Sequence, residues 1–110
     1  MCRIFAGQAV ADYQSETRSV RLSGHSTSLR LERAYWEILE DIAATQNVSL
    51  AKFLAKLHAE VLEIHGECRN FASLLRCSCL RYVGEVKNNP DAAHDLKLTA
   101  ATDFAVHPAE

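Results

Sequence analysis

Ser26-Thr27-Ser28-Leu29-Arg30-Leu31-Glu32 alternates with a period of two and runs directly into a helical pattern opened by Arg33 and carrying Tyr35 and Trp36. On a strand, successive side chains point to opposite faces. Thr27, Leu29 and Leu31 therefore share one face, and Ser26, Ser28 and Arg30 share the other. A strand cannot satisfy its own backbone donors and acceptors, so this one needs a partner strand from its own chain or from a second copy. Upstream, Thr17 to Leu22 alternates again, with Val20 and Leu22 opposite Ser19 and Arg21. Ser23-Gly24-His25 is a turn candidate, which predicts a hairpin or a pair of ribbon strands across residues 17–32 with the turn at Gly24.

Downstream the period changes to that of a helix. Tyr35, Trp36, Ile38, Leu39, Ile42 and Ala43 fall on one side of a helix from Arg33 to about Ala44, with Glu37, Glu40 and Asp41 on the other. Gln46-Asn47-Val48 connects to Ser49, an N-cap type, and Leu50, Phe53, Leu54, Leu57, Val61 and Ile64 stripe a second helix that Gly66 stops. A third helix is expected from about Asn70 through Phe71, Leu74, Leu75, Ser78, Cys79 and Tyr82, ended by Asn88-Asn89-Pro90. Residues 1–16 read as an N-terminal arm, 17–87 as the folded domain, and 88–110 as a tail or loosely docked segment, rich in Ala and without a clear period. The fold class is mainly α with a short N-terminal β-ribbon.

Composition allows one domain. The chain has 110 residues, 48 % of them apolar but with one Trp and four Phe, which suits a small helical core completed by dimerisation. Leu29, Leu31, Trp36, Leu39, Leu54 and Leu57 offer more apolar surface than a two-helix chain covers by itself. The formal net charge is −2, which excludes a strongly basic, non-specific nucleic-acid binder. Its distribution is uneven: Arg3, Arg18, Arg21, Arg30 and Arg33 precede an acidic stretch from Glu37 to Glu67. A positive edge on an acidic body suits a protein that meets an anion with one edge only. No apolar run approaches the roughly 18 residues of a membrane span and no signal-type segment is visible, so a cytoplasmic protein without membrane contact is expected.

Cys77 and Cys79 are one residue apart, and on a helix they point in different directions. With Cys2 and Cys68 they read as free thiols rather than a zinc set. His25, His58, His65, His94 and His107 form no helical metal pair. No nucleophile, base and orienting acid can be assembled from the spacings, so neither an enzyme nor a cofactor is expected.

The order strand, helix, capped turn, helix resembles the ribbon-helix-helix family of DNA-binding proteins that contains the Arc, MetJ and CopG repressors. Met1-Cys2-Arg3-Ile4-Phe5, Gly24 to Glu32, Ser49 to Leu57 and Asn70-Phe71-Ala72-Ser73-Leu74-Leu75-Arg76 are similar to a subfamily of small uncharacterised bacterial ribbon-helix-helix proteins. The resemblance covers roughly residues 17–83. It implies an intertwined homodimer whose strands pair about the two-fold axis and enter the major groove of double-stranded DNA, with the third helix as an addition. The outward ribbon positions then fall on Ser26, Ser28 and Arg30, with Arg21 beside them. The phosphate anchor falls on the backbone amides of Ser49, Leu50 and Ala51, with Lys52 in the same turn. Arg30 is the strongest reader of this set, suited to the paired acceptors of guanine. The expected function is a sequence-specific transcriptional regulator. The alternatives are an antitoxin-like protein that binds a protein partner through its third helix or C-terminal tail, and a dimeric interaction module that does not bind DNA.

Overall fold

A computed structural model of the chain describes residues 2–104. Two short helices, α1 (Cys2–Ala6) and α2 (Val10–Tyr13), precede strands β1 (Ser15–Leu22) and β2 (His25–Glu32). Helices α3 (Arg33–Thr45), α4 (Leu50–His65) and α5 (Phe71–Arg81) follow, then a π-helical turn over Tyr82–Val86 and helix α6 (Pro90–Phe104).

β1 and β2 form a two-stranded antiparallel hairpin, with Leu22 opposite His25, Ser19 opposite Ser28, and Ser15 opposite Glu32. Ser23 and Gly24 make the whole connection, at φ 52° and 84°. Positive φ at both central residues is what a two-residue turn needs if its twist is to match the strands it joins, and Gly24 adopts it without steric cost. The sequence placed this turn at Gly24 and began the first strand at residue 17; the ladder extends back to Ser15.

One face of the hairpin lies on the helices. Leu22, Leu29 and Leu31 are buried there, and Val20 packs against the same cluster. α4 lies against β1, whereas α3 and α5 reach β2. Trp36 is fully buried and its indole N–H donates to the Glu16 carbonyl at 2.8 Å, which ties α3 to the start of β1. The Arg18 guanidinium stacks 4.6 Å from the Trp36 ring while pairing with Glu16 and Glu40, so the inner face of β1 is closed by charge where it runs out of apolar residues.

The caps explain the helix limits. Ser49 Oγ accepts from the Lys52 amide, Gly66 closes α4 in the left-handed region at φ 78°, and Asn70 Oδ1 accepts from the Ser73 amide. Pro90 does end the third helical run, and it also begins another element. It occupies the first position of α6, where its missing N–H costs nothing, and Asn89 Oδ1 accepts from the Asp91 and Ala92 amides. α6 docks through buried Ala100 and partly buried Leu96, so residues 90–104 of the expected tail are a packed helix. Met1 and residues 105–110, His107 among them, lie outside the described residues.

Of the apolar residues that pointed to a second copy, all but the half-buried Leu57 are covered within the chain. Leu31, Trp36, Leu39 and Leu54 are fully buried and Leu29 nearly so, because β1 and α5 supply the surface a two-helix chain lacks. Leu75 and Cys79 on α5 are themselves fully buried in that core. Leu75→Ala therefore creates a cavity beneath the hairpin and is expected to cost about 2–5 kcal/mol, read as a lower urea midpoint at unchanged slope. A loss below about 0.5 kcal/mol, the range of surface substitutions, would make α5 an appendage instead.

Candidate nucleic-acid interface

The outer face of the hairpin is built by the same alternation that fills the core. On β1, Ser15, Thr17, Ser19 and Arg21 are exposed while Glu16, Arg18 and Val20 are half-buried and Leu22 is buried. On β2, Ser26, Ser28 and Arg30 are exposed, Thr27 is half-buried, and Leu29 and Leu31 are buried. The register sets Thr17 beside Arg30, Ser19 beside Ser28, and Arg21 beside Ser26. The four ribbon residues singled out from the sequence, Arg21, Ser26, Ser28 and Arg30, thus share one exposed surface. Ser19 and Ser26 hydroxyls lie 3.1 Å apart across the strands, and the Arg21 guanidinium donates to the Gly24 carbonyl at 3.1 Å.

Acidic side chains are drawn off this surface. Glu16 belongs to the inner face and pairs with Arg18. Glu32, at the outer end of β2, is held by a forked contact from Arg76 on α5, whose Nε and Nη2 donate to Glu32 Oε1 at 3.1 and 2.8 Å. Those hydrogen bonds hold the Glu32 carboxyl below its usual pKa and raise that of Arg76. The partner of Arg76 lies 44 residues away in the sequence, so no local pattern announces the pair.

The other predicted cluster lies elsewhere in the chain. Ser49, Ala51 and Lys52 are exposed and Leu50 is half-buried at the start of α4. The cap occupies the Lys52 amide, leaving those of Leu50 and Ala51 without an intrahelical acceptor. α4 meets the hairpin end much farther along, where His58 Nδ1 lies 3.1 Å from Ser23 Oγ and His58 and Leu62 line a depression with Leu22 and Thr27. Lys52 instead borders a depression shared with Asn47, Lys97 and Ala101. A single chain therefore presents the ribbon face and the helix start as two separate surfaces.

Sequence reasoning missed Thr17 as an outward residue. The available signal was the alternation itself, obscured because the inner positions Glu16 and Arg18 are charged and do not look like a core face.

Among the described residues no group of three His, Cys, Asp or Glu side chains is placed to hold a metal ion. All four cysteines are free. Cys79 is buried, and desolvation pushes its thiol up to about 11. Burial, with a 2.8 Å hydrogen bond donated to Asp41, raises Tyr82 to about 12. Both stay protonated at neutral pH and serve packing. No described helix is long and apolar enough to cross a membrane.

A family model described as a ribbon-helix-helix domain matches residues 15–83. Among solved structures, an uncharacterized protein from Bordetella pertussis Tohama I is similar at 35 % identity and TM-score 0.80, over 99 % of this chain and 90 % of that one. A search of curated proteins finds no match.

The Glu32–Arg76 pair gives the fold an acid-sensitive contact. Because the folded-state pKa of Glu32 lies below its usual 4.5, the pair stabilises fully above that value and is lost as pH falls through the folded one. The stability gap between the native protein and Glu32→Gln is expected to be widest near neutral pH and to close as acid is added below about pH 4.5, in urea titrations across that range. A gap that stays constant would mean that Glu32 acts through packing alone.

Proposed function

Because the chain belongs to the ribbon-helix-helix domain family, we propose that it is a sequence-specific DNA-binding transcriptional regulator that lays the outer face of its hairpin into the major groove. The family generally comprises DNA-binding regulators or antitoxins, typically non-enzymatic, and its members usually form dimers on DNA. The observation that carries the reading is the outer face itself: a row of short hydroxyls flanked by Arg21 and Arg30, with the neighbouring carboxylates turned to arginines elsewhere.

Each residue type has a task there. Arg30 offers a forked pair of donors to guanine O6 and N7, and Arg21 does the same or meets phosphate. Ser26 and Ser28 donate or accept at close range. In a homodimer the amides of Leu50 and Ala51, the capped turn at Ser49, and Lys52 hold flanking phosphates, positioning the protein without reading sequence. A regulator of this kind works in the bacterial cytoplasm. The antitoxin reading keeps a footing of its own: α5 and α6 bury Leu75, Cys79 and Ala100 in this chain's core but leave Leu80 and Leu98 exposed.

Selection of bound fragments from random DNA, followed by titration, tests the proposal. Affinity is expected to fall steeply with salt, since each neutralised phosphate releases counterions. Arg30→Ala is expected to cost about 1–3 kcal/mol of specific binding with an unchanged melt. Lys52→Ala is expected to flatten the logarithmic salt slope by about one to two while keeping the sequence preference. A folded protein that binds neither random nor genomic fragments at low salt would refute the regulator.

A further inference from the structure

The apolar side chains that this fold leaves in water are unevenly spread. Among the described residues eight large ones stay exposed: Ile4, Phe5, Val10 and Tyr13 belong to the N-terminal arm, Leu80 and Val83 to the end of α5 and the turn after it, and only Ile64 and Leu98 lie elsewhere in the sequence. α1 buries nothing, with Ile4 76 % and Phe5 65 % exposed. A groove of about 360 Å³ runs between the arm, α3 and α5, walled mostly by carbon from Tyr13, Tyr35, Ile38, Leu80 and Val83. One chain thus carries both an uncovered apolar helix and an uncovered apolar groove, a combination that marks a protein contact.

From this we infer that the groove receives α1 of a second copy of this chain, the two copies exchanging arms so that Ile4 and Phe5 of each are seated against Tyr13, Leu80 and Val83 of the other.

Three observations choose that occupant. First, the arm is held off its own groove. The Gly7 amide donates to the Arg3 carbonyl at 2.9 Å, and the Gln8 backbone and side-chain amides donate to the Phe5 carbonyl at 3.3 and 2.8 Å. Gln8 stands on the groove's rim, and with these bonds in place Ile4 and Phe5 remain outside it. A Cβ at residue 7 would come within 2.9 Å of the Arg3 carbonyl oxygen, so the turn is one that glycine makes possible. Second, the charges match. Arg3 lies on the arm and Asp12 on the rim of the groove, and neither has an ion-pair partner among the described residues. An exposed pair of this kind adds little affinity but selects orientation. Third, the contact closes. Arm and groove occur once per chain, so one contact made twice about a two-fold axis satisfies both copies. Phe5 and Arg3 on the arm, with Tyr13 and Tyr35 in the groove, are residue types enriched at protein interfaces.

The groove touches the hairpin only at Glu32, so a docked arm leaves Arg21, Ser26, Ser28 and Arg30 uncovered. Arm exchange is therefore compatible with DNA on the ribbon and does not depend on it.

The test uses the full-length chain in two measurements. Sedimentation over a concentration series compares the native protein with Phe5→Glu, whose fold is checked by far-ultraviolet circular dichroism. Disulfide trapping uses Leu80→Cys in a Cys77→Ser background, where the native Cys2 on α1 meets a thiol placed in the groove; the same protein with Cys2→Ser is the control. The expected result is unchanged helix content in Phe5→Glu with self-association moved to at least about tenfold higher concentration, the effect of exposing one buried Phe. Oxidation is expected to link Cys2 to the thiol at position 80 in a product of twice the chain mass, identified by peptide mapping and lost in the control. A link formed within one chain would overturn the exchange and assign the groove to its own arm. Native-like association of Phe5→Glu, a native protein that stays monomeric, or failure of Cys2 to link between chains would overturn it too and leave the groove to a different protein.

Discussion

Every residue of a β-strand carries a donor and an acceptor, and β2 meets that requirement with β1, a strand of its own chain. The rest of the architecture depends on this ladder. Pairing from Ser15 to Leu22 brings Val20 and Leu22 over the helices beside Leu29 and Leu31, which widens the apolar floor of the hairpin enough to seal Trp36, Leu39 and Leu54 beneath it. α5 then closes the other side of α3 with Leu75 and Cys79. Without β1, the indole of Trp36 would lose its acceptor at Glu16 and the aromatic core would open to water along β2.

The same ladder sorts charge. A chain of net charge −2 presents a cationic ribbon because the period of two sends Glu16 inward with Arg18, and the helix packing sends Arg76 to Glu32. Partly exposed ion pairs of this kind add little to stability, commonly about 0–1 kcal/mol. Their effect is on the sign of the potential over the outer face. Two carboxylates next to the outer face are neutralised by Arg18 and Arg76, so Arg21 and Arg30 keep their charge for whatever approaches.

Local rules made much of this legible in the sequence. The Ser23-Gly24 turn, the Ser49 and Asn70 caps, the Gly66 stop and the apolar stripes of α3 and α4 each rest on a few neighbouring residues, and each stands near its expected place. Arg21, Ser26, Ser28 and Arg30 followed from the same alternation. Contacts over long sequence separation were invisible: Trp36 to Glu16, Arg76 to Glu32 and Tyr82 to Asp41 join residues 20, 44 and 41 apart. α6 escaped because it buries little more than Ala100 and Leu96, too few apolar residues to set a period, and because Pro90 reads as a stop before it reads as a start.

The two-residue turn at Ser23-Gly24 also changes the kinetics of the surface it joins. Strands contributed by separate copies meet at a rate set by concentration, and the ribbon they form dissolves on dilution below their dissociation constant. Strands joined by so short a connection find each other in about 1–10 μs, whatever the concentration. Even at a few molecules per cell, each chain carries its own paired hairpin with Arg21 and Arg30 on its exposed face, and copy number sets how many such hairpins exist, without deciding whether they form.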